Sequence, residues 1–276
     1  MLVVGPVRHN LIQGDGVWGV TLLDNLIYVL RDKTSQQIAV YDAESYRLQR
    51  KITAPRLYDS CDMAACPYYQ CLYVPGVNDQ LIHRVALYND CVTTWSVNDT
   101  AKYLSVTDTH SVLVTCQEVR KIKEFSTDGK LLREIQLQQN VVRPRHTIQL
   151  TSGEFLVCHG DVDIPLALHH VCLIGSDGHV IKSFGGREGS GTQRLNMPSY
   201  LAVDRNGFVF VADADNCRVL LLSPALTFVR EVLSREQLKW KPLRMCLDSD
   251  RSRLYIGVNE WEDDHYTRGR VVVVDI

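Results

Sequence analysis

Short apolar runs broken by polar turns repeat along the whole chain, and the pattern is sharpest over Asn196–Leu222. There, Tyr200–Val203 and Phe208–Ala212 flank the turn Asp204-Arg-Asn-Gly207. Asn and Gly tolerate the positive φ that a tight turn demands, so the two runs predict a hairpin. A third run, Cys217–Leu222, follows the polar corner Asp213-Ala-Asp215-Asn216, and a fourth is Leu226–Leu233. Together they predict a four-stranded antiparallel sheet of about 40 residues.

The rest of the chain divides the same way. Unit one runs from Trp18 to Ile52, unit two from Tyr58 to Val97, unit three from Tyr103 to Leu137 and unit four from Arg145 to Phe184. The sharp unit is the fifth. The sixth supplies only three runs, Leu243–Leu247, Arg253–Val258 and Arg270–Ile276. Starts spaced by roughly 40 to 54 residues match the period of a propeller blade. One run, Val7–Ile12, is spare at the N-terminus and one is missing at the C-terminus. Adding Val7–Ile12 as the outer strand of the sixth blade closes the ring and hides the open sheet edges. Val271–Val274 is apolar at consecutive positions, as in a strand covered on both faces. The expectation is an all-β, six-bladed β-propeller spanning residues 1–276 as a single domain. A turn of helix is expected near Ser234–Trp240, and the first strand of unit two over Tyr58–Ala64.

Unit five also carries a motif. Pro198-Ser-Tyr-Leu-Ala-Val-Asp204, Gly207-Phe-Val-Phe-Val-Ala-Asp213 and Asn216-Cys-Arg-Val-Leu220 resemble an NHL repeat, whose usual Gly after Pro is replaced here by Ser199-Tyr200. The resemblance is sharp over about a sixth of the chain. It implies a six-bladed propeller and, in animals, the terminal module of tripartite-motif ubiquitin-ligase-type proteins, where it binds protein substrates or RNA. The RING, B-box and coiled-coil parts of those proteins are not in this sequence, so ligase activity is not expected.

Composition adds little against this picture. The chain has 276 residues, 45% hydrophobic and 22% charged, with net charge −2, so bulk charge selects no partner. The N-terminus turns polar too soon for a signal peptide, and no run reaches the ~20 apolar residues of a membrane span. Nine cysteines, an odd number and mostly inside apolar runs, read as buried reduced thiols. A cytoplasmic protein without membrane association is expected.

In a propeller, the loops that lead into the innermost strands gather at one mouth of the axial channel. At that step the blades carry Trp18; Arg56 and Tyr58; Lys102 and Tyr103; Arg145 and His146; Tyr200; Lys241 and Arg244. The corners between second and third strands add Arg31, Lys33, His83, Arg84, Arg120 and Arg218. Cations beside aromatic rings suit single-stranded RNA, and equally an acidic peptide. Acids share the same face: Asp15, Asp59, Asp99, Asp161, Asp163, Asp213, Asp215 and the Glu260–Asp264 corner. Macromolecular recognition, with a protein or peptide ahead of RNA, is the primary reading. The alternative is a propeller hydrolase or lyase acting on a small molecule in the channel. The leading positions hold no ring of oxygen ligands, and His146 has no partner histidine there, so no metal and no cofactor are expected.

Overall fold

The computed structural model describes residues 7–31, 36–54, 57, 59–161, 163–164, 167–262 and 265–276. Among these, strands and turns alternate in the order the apolar runs predict. After β1 (Val7–Gly14), blade one comprises β2 (Val17–Leu23), β3 (Leu26–Arg31), β4 (Gln37–Asp42) and β5 (Leu48–Thr53). Blade two comprises β6 (Ala64–Cys66), β7 (Cys71–Gly76), β8 (Leu81–Ala86) and β9 (Val92–Ser96). Blade three comprises β10 (Ala101–Val106), β11 (Val112–Cys116), β12 (Lys121–Phe125) and β13 (Leu131–Gln136). Blade four comprises β14 (Pro144–Gln149), β15 (Phe155–His159), β16 (Leu168–Ile174) and β17 (Val180–Arg187). Blade five comprises β18 (Pro198–Val203), β19 (Val209–Asp213), β20 (Arg218–Leu222) and β21 (Phe228–Leu233). A four-residue helix, α1 (Arg235–Leu238), leads to β22 (Lys241–Asp248), β23 (Arg253–Glu262) and β24 (His265–Asp275). Each blade is a four-stranded antiparallel sheet, and the sixth has the order β1-β24-β23-β22. The N-terminal strand is thus its outer strand, with Val7 opposite Val274 and Gly14 opposite Gly269.

Position within a blade dictates composition. The second strands β7, β11, β15 and β19 are buried at every residue, whereas the outer strands β5, β9 and β13 are mostly exposed or half-buried. Inner strands lie between two neighbouring sheets and outer ones face water, so only the inner ones need apolar residues on both faces. The core is accordingly a set of inter-blade seams. Leu30, Ile38 and Val40 of blade one pack on Leu72 and Val74 of blade two. Val17, Val20 and Val29 pack on Tyr255, Val271 and Val273 of blade six, which seals the ring.

Two local features differ from the expected runs. The first strand of blade two begins at Ala64; residues 59–63 run as irregular backbone, with Asp59 at φ 58° and Asp62 fully buried. Asp62 accepts the Leu104 N–H of the next blade at 2.8 Å, so a side chain there replaces strand pairing. Pairing also continues past the expected Arg253–Val258 run into the corner, with Trp261 opposite Tyr266 and Glu262 opposite His265. The nine cysteines are free thiols, six of them buried. Among the described residues no helix is long and apolar enough to cross a membrane.

Unit five shows what its motif does physically. Asp204 Oδ1 accepts the N–H groups of Asn206 and Phe208 at 2.9 and 2.8 Å, and Gly207 takes φ 80°, fixing the hairpin turn. Asp213 accepts the Asn196 N–H at 2.6 Å, Asn216 Nδ2 at 2.8 Å and Arg218 Nε at 2.7 Å. Arg218 also donates to the carbonyls of Ser190, Gly191 and Arg194. The Asp, Asn and Arg of the repeat therefore form one buried corner that holds the glycine-rich approach. Burial raises the Asp213 carboxyl against the hydrogen bonds and the Arg218 charge that lower it. Removing the cation strands that carboxylate, a change that typically costs about 3–5 kcal/mol. Arg218→Ala is expected to lower the unfolding free energy measured in urea by that order, whereas exposed Arg205→Ala, on a surface ion pair with Asp250, is expected to leave it within about 0.5 kcal/mol.

Candidate functional site

The six innermost strands converge on the axis, and their leading residues surround a cavity of about 430 Å³. Trp18, Lys102, Tyr103, Arg145 and Arg244, all expected at the mouth, line it. Asp59, Cys61, Asn78, Met197, Ser199, Leu243 and Tyr266 line it as well. The other expected residues are placed differently. Arg56, Tyr58 and Lys33 lie outside the described residues. Lys241 stands on the rim, 2.6 Å from Asp215 and 5.0 Å over the Trp261 ring. His146 and Tyr200 are buried beneath the cavity, 4% and 5% exposed, with their rings stacked at 3.6 Å and 14°. Of the corner residues, Arg218 is absorbed by the Asp213 corner and His83 is buried.

The floor is a polar hub that the runs of sequence do not announce. Asp62 is fully buried, and its Oδ1 accepts the Tyr200 hydroxyl at 3.1 Å and lies 3.3 Å from Arg244 Nε. Arg244 Nε also donates to Trp18 O at 3.1 Å and Cys61 O at 2.8 Å, and Nη1 donates to Leu243 O at 2.5 Å. The guanidinium lies 5.1 Å from the Tyr103 ring centroid and 5.5 Å from that of Tyr200. His146 Nε2 bonds Leu104 O at 3.1 Å, and its Nδ1 accepts the Leu201 N–H at 3.4 Å. The hub thus joins residues from all six blades. The one signal for Asp62 in the sequence is an acid set directly beside Met63-Ala64 in an apolar run.

Electrostatics follow from burial. Desolvation pushes Asp62 up to about 6, against Arg244 and the backbone N–H groups that favour the carboxylate. It remains ionised at neutral pH. For Arg244, burial opposes the charge, but Asp62 and the surrounding Tyr103, Cys61 and Tyr200 outweigh it and hold the group above its usual value. Tyr200 is raised well above a normal phenol by burial and by Asp62, so it stays a donor. Burial and Arg244 hold His146 down to about 3. A neutral ring fits its contacts, since one nitrogen faces a carbonyl and the other an N–H.

Among the described residues, several charges around the mouth are already matched. Lys102 reaches Gln117 at 3.0 Å and Glu118 at 3.8 Å, Arg143 reaches Asp161 at 3.3 Å, and Lys123 reaches Asp99 at 2.6 Å. Arg145 differs. Its hydrogen bonds go to neutral oxygens, Tyr103 Oη at 3.0 Å and Gly160 O at 3.5 Å. Although burial opposes its charge, Tyr103 and Asp161 raise its basicity above the usual value. Trp18, Tyr266 and Trp261 form an edge-to-face chain along the rim, with centroids 5.1 and 4.5 Å apart.

Two stability measurements probe the hub. Arg244→Met leaves Asp62 buried without its cation, so a loss of about 3–5 kcal/mol in urea unfolding is expected; adding Asp62→Asn in the same chain is expected to return much of it. For His146, the unfolded ring takes up a proton near 6.5 while the folded ring stays neutral to about 3. The unfolded state therefore binds more protons between those values, and stability is full above pH 6.5 and falls as pH drops toward 3. Its share of the loss at pH 5 is about 2 kcal/mol. His146→Gln is expected to shrink the difference in unfolding free energy between pH 7 and pH 5 by that amount.

By sequence, neither a family model nor a curated protein matches this chain. By shape, solved structures match it along nearly all its length. Hydrazine synthase of Kuenenia stuttgartiensis is 13% identical, with a TM-score of 0.64 over 96% of this chain and 99% of that one. A catalytically inactive virginiamycin B lyase from Staphylococcus aureus, with quinupristin, is 10% identical, with a TM-score of 0.65 over 95% of each chain. A protein of unknown function from Bacteroides thetaiotaomicron is 12% identical, with a TM-score of 0.66 over 99% of this chain and 72% of that one. At such identities the likeness establishes the fold alone, a six-bladed β-propeller.

Proposed function

We propose that this propeller is a recognition module of NHL type that binds a peptide segment carrying one anionic group at its axial mouth. The observation that carries this reading is Arg145, a cation with neutral hydrogen-bond partners on the wall of a cavity edged by Trp18, Tyr103 and Tyr266. A guanidinium of this kind pairs with a carboxylate or phosphate in a charge-assisted bond, and the rings supply apolar contact area beside it. The Asp213-Asn216-Arg218 corner supports kinship with NHL repeats, because it gives the motif a structural reason to exist in blade five. The neutralised rim argues for a peptide over single-stranded RNA. A nucleic-acid strand needs several cations free to meet successive phosphates, and here Lys102 and Lys241 are engaged by Glu118 and Asp215. Catalysis in the channel is the weaker reading. Asp62, His146 and Tyr200 have displaced acidities, yet their polar atoms are taken up inside the floor, and a general acid or base must reach its substrate.

The test is a selection from a random peptide library on the folded chain, followed by affinity measurements on the recovered peptides. Enrichment of a single acidic or phosphorylated position is expected. Arg145→Ala is expected to weaken binding at least tenfold, about 1.4 kcal/mol, and Arg205→Ala to leave it unchanged. Tight binding of a random RNA pool with a steep salt dependence, unaffected by Arg145→Ala, would refute the peptide reading.

A further inference from the structure

Blade four carries a second cluster away from the axis. His159 closes β15, and His170 lies directly opposite it on β16. Paired residues share a face of the sheet, and so does Cys172, two residues further on. One donor atom from each of the three lies within 4.8 Å of the others. The two imidazole centroids are 5.4 Å apart at 84°, and His159 Nε2 is 3.5 Å from Cys172 Sγ. Zinc–thiolate and zinc–imidazole bonds of about 2.3 and 2.0 Å, meeting at a tetrahedral angle, place sulfur and nitrogen about 3.5 Å apart. The observed separation is therefore already that of a tetrahedron edge.

Burial points the same way. His159 is 1% exposed, and its Nδ1 is buried without a well-formed hydrogen bond; the backbone of Val142 offers the ring a weak interaction. Ligation through Nε2, the nitrogen beside Cys172 Sγ, fixes the proton on Nδ1, where the Val142 backbone offers it an acceptor. His170 is half-buried, which gives an ion a way in from the surface. Two imidazoles and a thiolate are borderline-soft donors, a set that prefers zinc to calcium or magnesium.

We propose that His159, His170 and Cys172 form a zinc-binding site on blade four, with three protein ligands and a fourth position left for water or an exogenous ligand. On binding, the Cys172 S–H bond breaks, the sulfur keeps the electron pair and donates it to the metal, and one proton passes to solvent. The imidazoles bind through lone pairs without losing a proton. Affinity consequently rises with pH, by about tenfold per unit while the thiol is protonated. The site is independent of the axial mouth, since its residues do not line that cavity. The competing account is a packed S–H···N hydrogen bond between Cys172 and His159, with no metal.

Cobalt(II), added to chelator-treated protein, distinguishes the two. The site predicts one equivalent bound, a thiolate-to-cobalt charge-transfer band, the intense visible bands of a tetrahedral ion, and displacement of all of these by one equivalent of zinc. Cys172→Ser is expected to abolish the charge-transfer band, and His170→Ala to weaken zinc binding at least tenfold. Cys158→Ser, on the opposite face of the same sheet, is expected to keep both signals. Zinc is expected to raise the melting temperature of the wild-type chain and not of His170→Ala, which keeps the test valid if Cys172→Ser folds poorly. Absence of the charge-transfer band in the wild-type chain, or its survival in both Cys172→Ser and His170→Ala, would overturn the proposal.

Discussion

The buried pair of Asp62 and Arg244 is the interaction on which the centre of this structure depends. Among the described residues, each strand pairs only within its own sheet, so inner strands of neighbouring blades are not joined by a backbone ladder. Side chains must make the connections. Arg244 of blade six reaches the carbonyls of Trp18 and Cys61, and Asp62 takes the Leu104 N–H and the Tyr200 hydroxyl. Ser105 reaches Thr147 O, and Ser199 reaches Pro242 O, at 2.6 and 2.9 Å. The charges cost desolvation energy, but they satisfy polar groups that six converging strand ends would otherwise bury unpaired. The apolar seams hold neighbouring blades together at their flanks, whereas the hub fixes all six at the axis.

That arrangement also shapes the mouth. A floor whose charges are spent on architecture contributes little field to the cavity above it. The rim is treated similarly, with lysines and arginines facing acids across adjoining loops. Among the described residues that line the cavity, Arg145 is a cation whose hydrogen bonds go to neutral oxygens, beside three aromatic rings. A count of basic residues therefore overstates the attraction for a polyanion; the pairing of each residue decides which ligand chemistry fits.

Much of the fold was legible in the residues. Asn206-Gly207 announced a turn, the recurrence of four runs announced a blade, and the spare run at the N-terminus announced the ring closure. These features are local, and they arise from backbone preferences and from the alternation of apolar and polar positions. The departures are informative. Residues 59–63 look like part of a strand because Cys61 and Met63 alternate with Ser60 and Asp62, yet the Asp62 carboxylate takes the role of a strand partner. Asn259–Tyr266 looks like a corner because it is polar, yet its backbone pairs in a hairpin, with Trp261 opposite Tyr266 and Glu262 opposite His265.

The site was legible only in part, for a physical reason. The recurring runs of residues carry the six-bladed ring and the register of the inner strands, because propeller geometry gathers the starts of those strands around the axis. Of the positions read that way, Trp18, Lys102, Tyr103, Arg145 and Arg244 line the axial cavity. Tertiary structure decided what each of them does there. Tyr200 and His146 turn into the floor and Arg244 is consumed by Asp62, while His159, His170 and Cys172 meet across two strands. Those relations join residues 11 to 182 positions apart, and distances of that kind are set by strand register and blade closure, which no local pattern of residues encodes.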